Sequence, residues 1–227
     1  MLKTKGSQED LIYLSSTLSK LLKRKFGKGP ETCYASLKDN MISIHIRHFI
    51  TPAEEVLIEN GEVNLAYHFR SSIMNAIFRE FKREISHSIE IECKDIFHDW
   101  NYGINTGVIL LILEDSIGEM TTVTENETLL EVAKIVSLKI HKIPSSYKII
   151  NFNQNSYVIS YKGIMLQIEN VLYKKGQIEL LRDRSEEIKL EYIKNLNLFE
   201  QALGRTIKEL FFMSDFQNDK SYIVFIL

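Results

Sequence analysis

The chain has little cysteine: Cys33 and Cys93 are the two among 227 residues. That excludes a disulfide framework and a thiolate metal cluster, and it suits a reducing cytoplasm. Both read as small buried hydrophobes on strands. Proline is scarce too, and each of the three, Pro30, Pro52 and Pro144, stands where an element starts or stops. Neither sign of charge dominates. Lys and Arg total 28 against 30 Asp and Glu, a net of −2, which is too near neutral to mark nucleic acid as a partner of the whole molecule. Long apolar runs are missing: Val108–Leu113 and Tyr222–Leu227, six residues each, are the longest, where a membrane-spanning helix needs about 20. The opening MLKTKGSQED has no apolar core and is not read as a signal peptide.

Chemical signatures are equally sparse. There is no Gly-x-Ser-x-Gly elbow and no His-Glu-x-x-His. The histidines (His45, His48, His68, His87, His98, His141) do not offer convergent zinc ligands, since His45 and His48 fall on opposite faces of a strand. Gly27-Lys28-Gly29-Pro30 ends a helix and presents carbonyls, whereas a phosphate loop opens one and presents amides. No cofactor, metal or catalytic residue is expected.

What is present is a duplication. Leu14 recurs as Leu129, Asn40 as Asn155, Glu54 as Glu169, Gly61 as Gly176 and Ile73 as Ile188, all 115 positions on. Later the offset is read as 116, with Asp99 meeting Asp215, then 114, with Ile112–Leu113 meeting Ile226–Leu227; a final turn two residues shorter in the second copy would account for the change. Self-similarity at one period fixes an architecture before propensity is consulted. Two copies of about 105–110 residues each can carry a core: residues 1–114, a polar linker at 115–125, and residues 126–227.

Within the first copy, Ser7 caps a helix with an apolar stripe at Leu11, Leu14, Leu18, Leu21 and Leu22. Strands follow at 32–38 and 41–49 around Asp39-Asn40. Thr51-Pro52-Ala53-Glu54 is a capping box with proline at the first helical position. A long helix over 63–86 has Leu65, Phe69, Ile73, Ala76, Ile77 and Phe81 on one side. Strands at 89–100 and 106–113 close the copy. The second copy repeats the plan with helices at 126–141, capped by Thr124, at 166–175 and at 177–203. Its strands are 147–153, 156–164 and a hairpin over 206–227. The expected fold is α+β: two tandem α-β-β-α-α-β-β units, each a four-stranded, mainly antiparallel sheet covered by helices on one side. The last strand of each copy is apolar on both faces, which points to a central position or to a face that pairs the copies or dimerises.

Two groups of residues could carry function. Arg47 and His48 with His98, Asp99, Trp100 and Asn101 could form one end of a sheet where a small anion meets an Arg fork and an aromatic face. The plainer and preferred reading makes Asp99 and Asn101 turn organisers and Trp100 a packing residue. Lys20, Lys23, Arg24, Lys25 and Lys28 crowd the end of the first helix. They suit the helix C-terminus or form a docking patch for an anionic surface or an acidic partner.

Several short motifs, in order, carry a resemblance: Leu18-Ser19-Lys20-Leu21-Leu22-Lys23, Lys25-Phe26-Gly27-Lys28-Gly29-Pro30-Glu31, Ile46 to Glu54, and Asp99-Trp100-Asn101. With them the first copy, over about residues 10–113, resembles the MpsC family, the C component of a Na+-translocating membrane-potential-generating system. The second copy matches only in pattern. The resemblance implies a small cytoplasmic protein at the inner face of a membrane. Its implied partner is a transport system built from an antiporter-like subunit and an inorganic-carbon-handling subunit. It supplies no catalytic residues to carry over. From these readings the expectation is a non-enzymatic accessory or regulatory protein working through protein–protein interaction. Small-anion sensing at Arg47, Asp99 and Trp100 is the alternative, and an enzyme using His98 and Asp99 a remote one. The duplication adds an internal pseudo-dimer of the copies and a homo-oligomer as assembly expectations.

Overall fold

The computed structural model describes residues 6–117 and 126–227. The chain divides into two compact units, Met1–Met120 and Thr121–Leu227. Most of the segment read as linker, residues 118–125, lies outside the described residues, as does the expected cap Thr124.

Unit 1 runs α1 (Gln8–Phe26), β1 (Thr32–Lys38), β2 (Met41–Arg47), α2 (Pro52–Glu59), α3 (Val63–Ile89), β3 (Cys93–Asn101) and β4 (Thr106–Leu113). Local chemistry sets the boundaries. The Ser7 hydroxyl accepts from the Asp10 amide, and the Asp10 carboxylate accepts from the amides of Ser7 and Gly6, so the first orphan amides of α1 are satisfied reciprocally. Gly27 ends the helix in the left-handed region, φ 76°, where a side chain would be strained. The four strands pair antiparallel in the order β1-β2-β4-β3, an order the sequence does not reveal. It places β4 inside the sheet, which is why that strand is apolar at alternate positions of both sets and buried throughout.

The core lies on the helix face. Ile42, Ile44 and Ile46 from β2 and Ile109, Leu111 and Leu113 from β4 pack with Leu14, Leu18 and Leu22 of α1 and with Met74, Ile77, Phe81 and Ile85 of α3. Each fully buried aliphatic side chain of this kind contributes about 1.5–3 kcal/mol. The buried stripe of α3 differs from the one read in the sequence. Leu65 and Phe69 are exposed, and the inward face runs Ala66, Arg70, Met74, Ile77, Phe81, Ile85. The stripe passes through an arginine, and a search for apolar periodicity steps over it.

Unit 2 repeats the plan: α4 (Glu127–Ser137), β5 (Ser146–Asn153), β6 (Ser156–Lys162), α5 (Gln167–Lys174), α6 (Ile178–Lys194), α7 (Leu196–Leu203), β7 (Glu209–Asp215) and β8 (Lys220–Ile226). Its sheet order, β5-β6-β8-β7, is the same. The expected helix over 177–203 is two helices. The break is Asn195, whose side-chain amide donates to the Glu191 carbonyl while its oxygen accepts from Lys139; such a local bond competes with the helix ladder. The start of α4 is capped by Asn126, whose side chain accepts from the Leu129 amide.

Register corrects the alignment of the last hairpins. Asn101 pairs with Thr106 and Asp215 with Lys220. The loops 102–105 and 216–219 are therefore equal in length. Asp215 is the counterpart of Asn101, and that of Asp99 is Met213. A constant offset of 114 holds through both final hairpins, and the expected shortening of the second turn is absent.

Candidate functional site

The pleat separates the residues grouped on sequence. Across the sheet, Asn101, Thr106, Arg47 and Thr32 share one row, and Asp99, Val108 and His45 share the next row on the same face. Trp100 pairs with Gly107 and Ile46 in the row between, on the helix face, with His98 two residues along. Successive strand residues point to opposite faces. Arg47 and Asn101 thus lie two strand spacings apart, about 10 Å, and the Trp100 ring is on the other side of the sheet. Arg47 and Asp99 therefore share a face of the sheet that Trp100 does not. His98 and Asp99, as neighbours on one strand, also point apart.

Individual environments follow from that split. Arg47 and His48 are exposed at the end of β2, with His48 Nε2 3.8 Å from Glu31. His98 Nδ1 accepts from the Trp100 indole at 2.8 Å, which leaves its proton on Nε2 when the ring is neutral. Its ring lies against Tyr67 and Phe78. Asp99 is buried within β3, and one carboxylate oxygen accepts from the Trp100 amide. The turn role expected of it belongs to Asp215 in unit 2, which accepts from the amide and the side chain of Asn218. In unit 1 the hairpin loop is organised by Asn105, in the left-handed region at φ 54°. Its side-chain oxygen accepts from the Phe49 and Ile50 amides at 2.7 and 2.8 Å, and its carbonyl accepts from the His48 amide. Asp219 does the same in unit 2, taking the amides of Met165 and Gly163.

Trp100 has a different task, at the centre of a cluster the sequence did not announce. Arg70 is 1 % exposed and Glu54 fully buried. Arg70 donates from Nε to Glu54 at 2.5 Å and from Nη2 both to Glu54 at 2.6 Å and to the Phe49 carbonyl at 3.0 Å. Glu54 also accepts from the amide and hydroxyl of Thr51, completing the capping box. The guanidinium lies 4.2 Å from the Trp100 ring, 4.8 Å from Phe49, 5.4 Å from Tyr102 and 5.9 Å from Phe26. Trp100 reaches it by lying flat over Gly107, where an added Cβ would fall 2.0 Å from the indole. A charge pair out of water survives only when its hydrogen bonds are completed, and here aromatic faces add cation–π attraction. The arrangement clamps the turn before α2, the first third of α3 and the end of the sheet together. Burial raises the Tyr102 hydroxyl pKa above its ordinary value, Arg70 opposing.

Unit 2 keeps a weaker version. Arg184, one helix position earlier than the equivalent of Arg70, meets Glu169 at 3.2 Å and donates to the Ile140 carbonyl. The Trp100/Gly107 pair is replaced by Ser214 opposite Ser221. Where Phe26 stood, His141 lies between Tyr192 and Phe212. Both His141 nitrogens and the hydroxyls of Tyr161 and Tyr192 are buried without a hydrogen bond of good geometry.

The five cations of the helix-end patch, Lys20, Lys23, Arg24, Lys25 and Lys28, are all exposed. Arg24 pairs with Glu80, whose pKa it lowers, and Lys28 donates to the Ile50 carbonyl at 2.8 Å. Among the described residues no three His, Cys, Asp or Glu side chains are grouped to hold a metal ion, and no helix is long and apolar enough to cross a membrane.

Residues 5–115, which span unit 1, match the family model described as Na+-translocating membrane potential-generating system (MpsC). No curated protein and no solved structure matches the chain.

Proposed function

We propose that the chain, whose residues 5–115 form a domain of the MpsC family, is a non-enzymatic accessory or regulatory protein of a membrane ion and inorganic-carbon transport system, acting by protein–protein interaction at the inner face of the membrane. The family match carries the reading, since the family's description names a membrane system. A part built without a spanning helix among its described residues serves such a system from outside the bilayer. The exposed Lys20, Lys23 and Lys25 supply a basic surface for an acidic partner. In-cell crosslinking of native-level tagged protein, followed by mass spectrometry of the membrane fraction, tests it. The expected result is recovery of a transport subunit, reduced when Lys20, Lys23 and Lys25 are changed to Glu. Recovery of no membrane protein sinks the reading.

The duplication supports a second proposal, that the two copies associate as an internal pseudo-dimer. With a protease site placed in residues 115–125, cleaved halves that co-elute on gel filtration would support it, and halves that separate would end it.

A further inference from the structure

Beside β1, unit 1 holds a groove of about 300 Å³ between that strand and α1. Leu11, Ile12, Ser15, Ser16 and Ser19 form its helical wall, and Cys33 and Ala35 lie along its strand wall. Among the described residues β1 is an edge of its sheet, with β2 on one side only, and an edge strand turns alternate amide and carbonyl groups outward. Folded proteins blunt such edges with bulges, prolines or inward charges. The outer strands β3 and β5 each carry a register irregularity, and β7 is buried at all but one position. β1 has no bulge and its one charge is Lys38, at its end. Its register with β2 is unbroken over seven residues, it contains no proline, and only Ala35 is buried.

The second copy carries larger residues at two of the equivalent positions. By helix and strand register, Ser19 corresponds to Lys134 and Cys33 to Tyr147. In unit 2 the Lys134 ammonium lies 5.1 Å from the centre of the Tyr147 ring, so two long side chains meet where unit 1 has the smaller serine and cysteine. Among the described residues the one charged side chain lining the groove is Glu31, at its Pro30 end.

We propose that unit 1 binds an extended segment of a partner protein as a fifth strand on β1. The segment's backbone would pair with the strand edge, its small apolar or hydroxyl side chains would enter the groove, and a Lys or Arg would meet Glu31. Strand addition derives affinity from main-chain hydrogen bonds and specificity from pockets for alternate side chains, and this site offers both. The inference rests on the reading that the protein acts by binding another protein, and it names the surface.

The test uses the full chain. A phage-displayed library of random linear peptides is selected against the wild type, and the selected peptides are titrated into the wild type and into the Ser19→Lys/Cys33→Tyr double variant. Binding should slow amide exchange along Thr32–Lys38 by at least about tenfold and should be lost in the double variant at an unchanged Tm. Should the double variant melt early, Ser16→Glu, at the groove wall, supplies the same comparison. No enriched peptide, or peptides that bind both forms equally or protect other segments, overturns the proposal. Membrane partners captured undiminished by the double variant would remove the groove while leaving the accessory reading standing.

Discussion

Acid should unfold the second unit through His141. The ring is 8 % exposed and packs on Tyr192 and Phe212. Burial, with Arg184 nearby, holds its pKa down from 6.5 to about 4. The folded protein therefore keeps the imidazole neutral over a range in which the unfolded chain protonates it. The stability this contributes is fully present above about pH 6.5 and is lost as pH falls toward 4. At about 1.4 kcal/mol per unit, a gap of roughly 2.5 units is worth about 3 kcal/mol in full, and roughly 2.5 kcal/mol by pH 4.5. His141→Phe isolates the effect, because Phe26 holds the equivalent place in unit 1. Carboxylates titrate alike in both proteins, so the difference between their pH dependences reports His141. Chemical unfolding followed by far-UV circular dichroism at pH 7.5 and 4.5 gives the numbers. The variant should be at least as stable as wild type at pH 7.5, since two unbonded ring nitrogens are gone, and should lose about 2.5 kcal/mol less on acidification. Trp100, the single tryptophan, reports unit 1 by fluorescence and should respond to pH alike in both. Parallel pH dependences for the two proteins would refute the reasoning.

Three further outcomes test the clamp in unit 1. Arg70→Met leaves Glu54 buried without its cation and should cost about 3–5 kcal/mol in urea unfolding, while Glu54→Gln/Arg70→Met should recover most of it. Gly107→Ala drives a methyl into the Trp100 ring and should cost about 1–3 kcal/mol, with a changed near-UV dichroism band that an intact indole site would not show. Asn105→Ala removes the acceptor of the Phe49 and Ile50 amides and should speed their exchange, at about 1–3 kcal/mol of local stability. Asn105→Asp, the residue type of Asp219, should keep most of the protection.

Much of the fold is legible without coordinates, because its signals are local or periodic. The capping boxes at Ser7 and Thr51, the helix stop at Gly27 and the alternation of Ile42, Ile44 and Ile46 each depend on a few neighbouring residues. The 115-residue echo then doubles every such inference. The site was less legible. Thr51 to Glu54 read as a cap, yet the carboxylate's larger role, meeting Arg70 from another helix, has no signature in spacing, and an arginine at an inward helical position breaks the pattern used to find that face. The echo itself held the one available hint: Glu54 and Glu169 each have an arginine 15 or 16 residues later.

By itself, then, the sequence determined the repeat, the order of helices and strands apart from the break at Asn195, and the inward face of strands such as β2, since period and cap chemistry act over a turn or two of chain. Tertiary structure alone decided which strands are neighbours; the two apolar faces of the final strand point to a central position as one of two readings, and it does lie inside its sheet. It decided that Arg47 and Trp100 are parted by the pleat, and that a buried ion pair under four aromatic rings joins the turn before α2, α3 and the end of the sheet. Hydrogen bonds between strands and charge pairing between helices join residues far apart in the chain, and their geometry exists only once the sheet has closed around them.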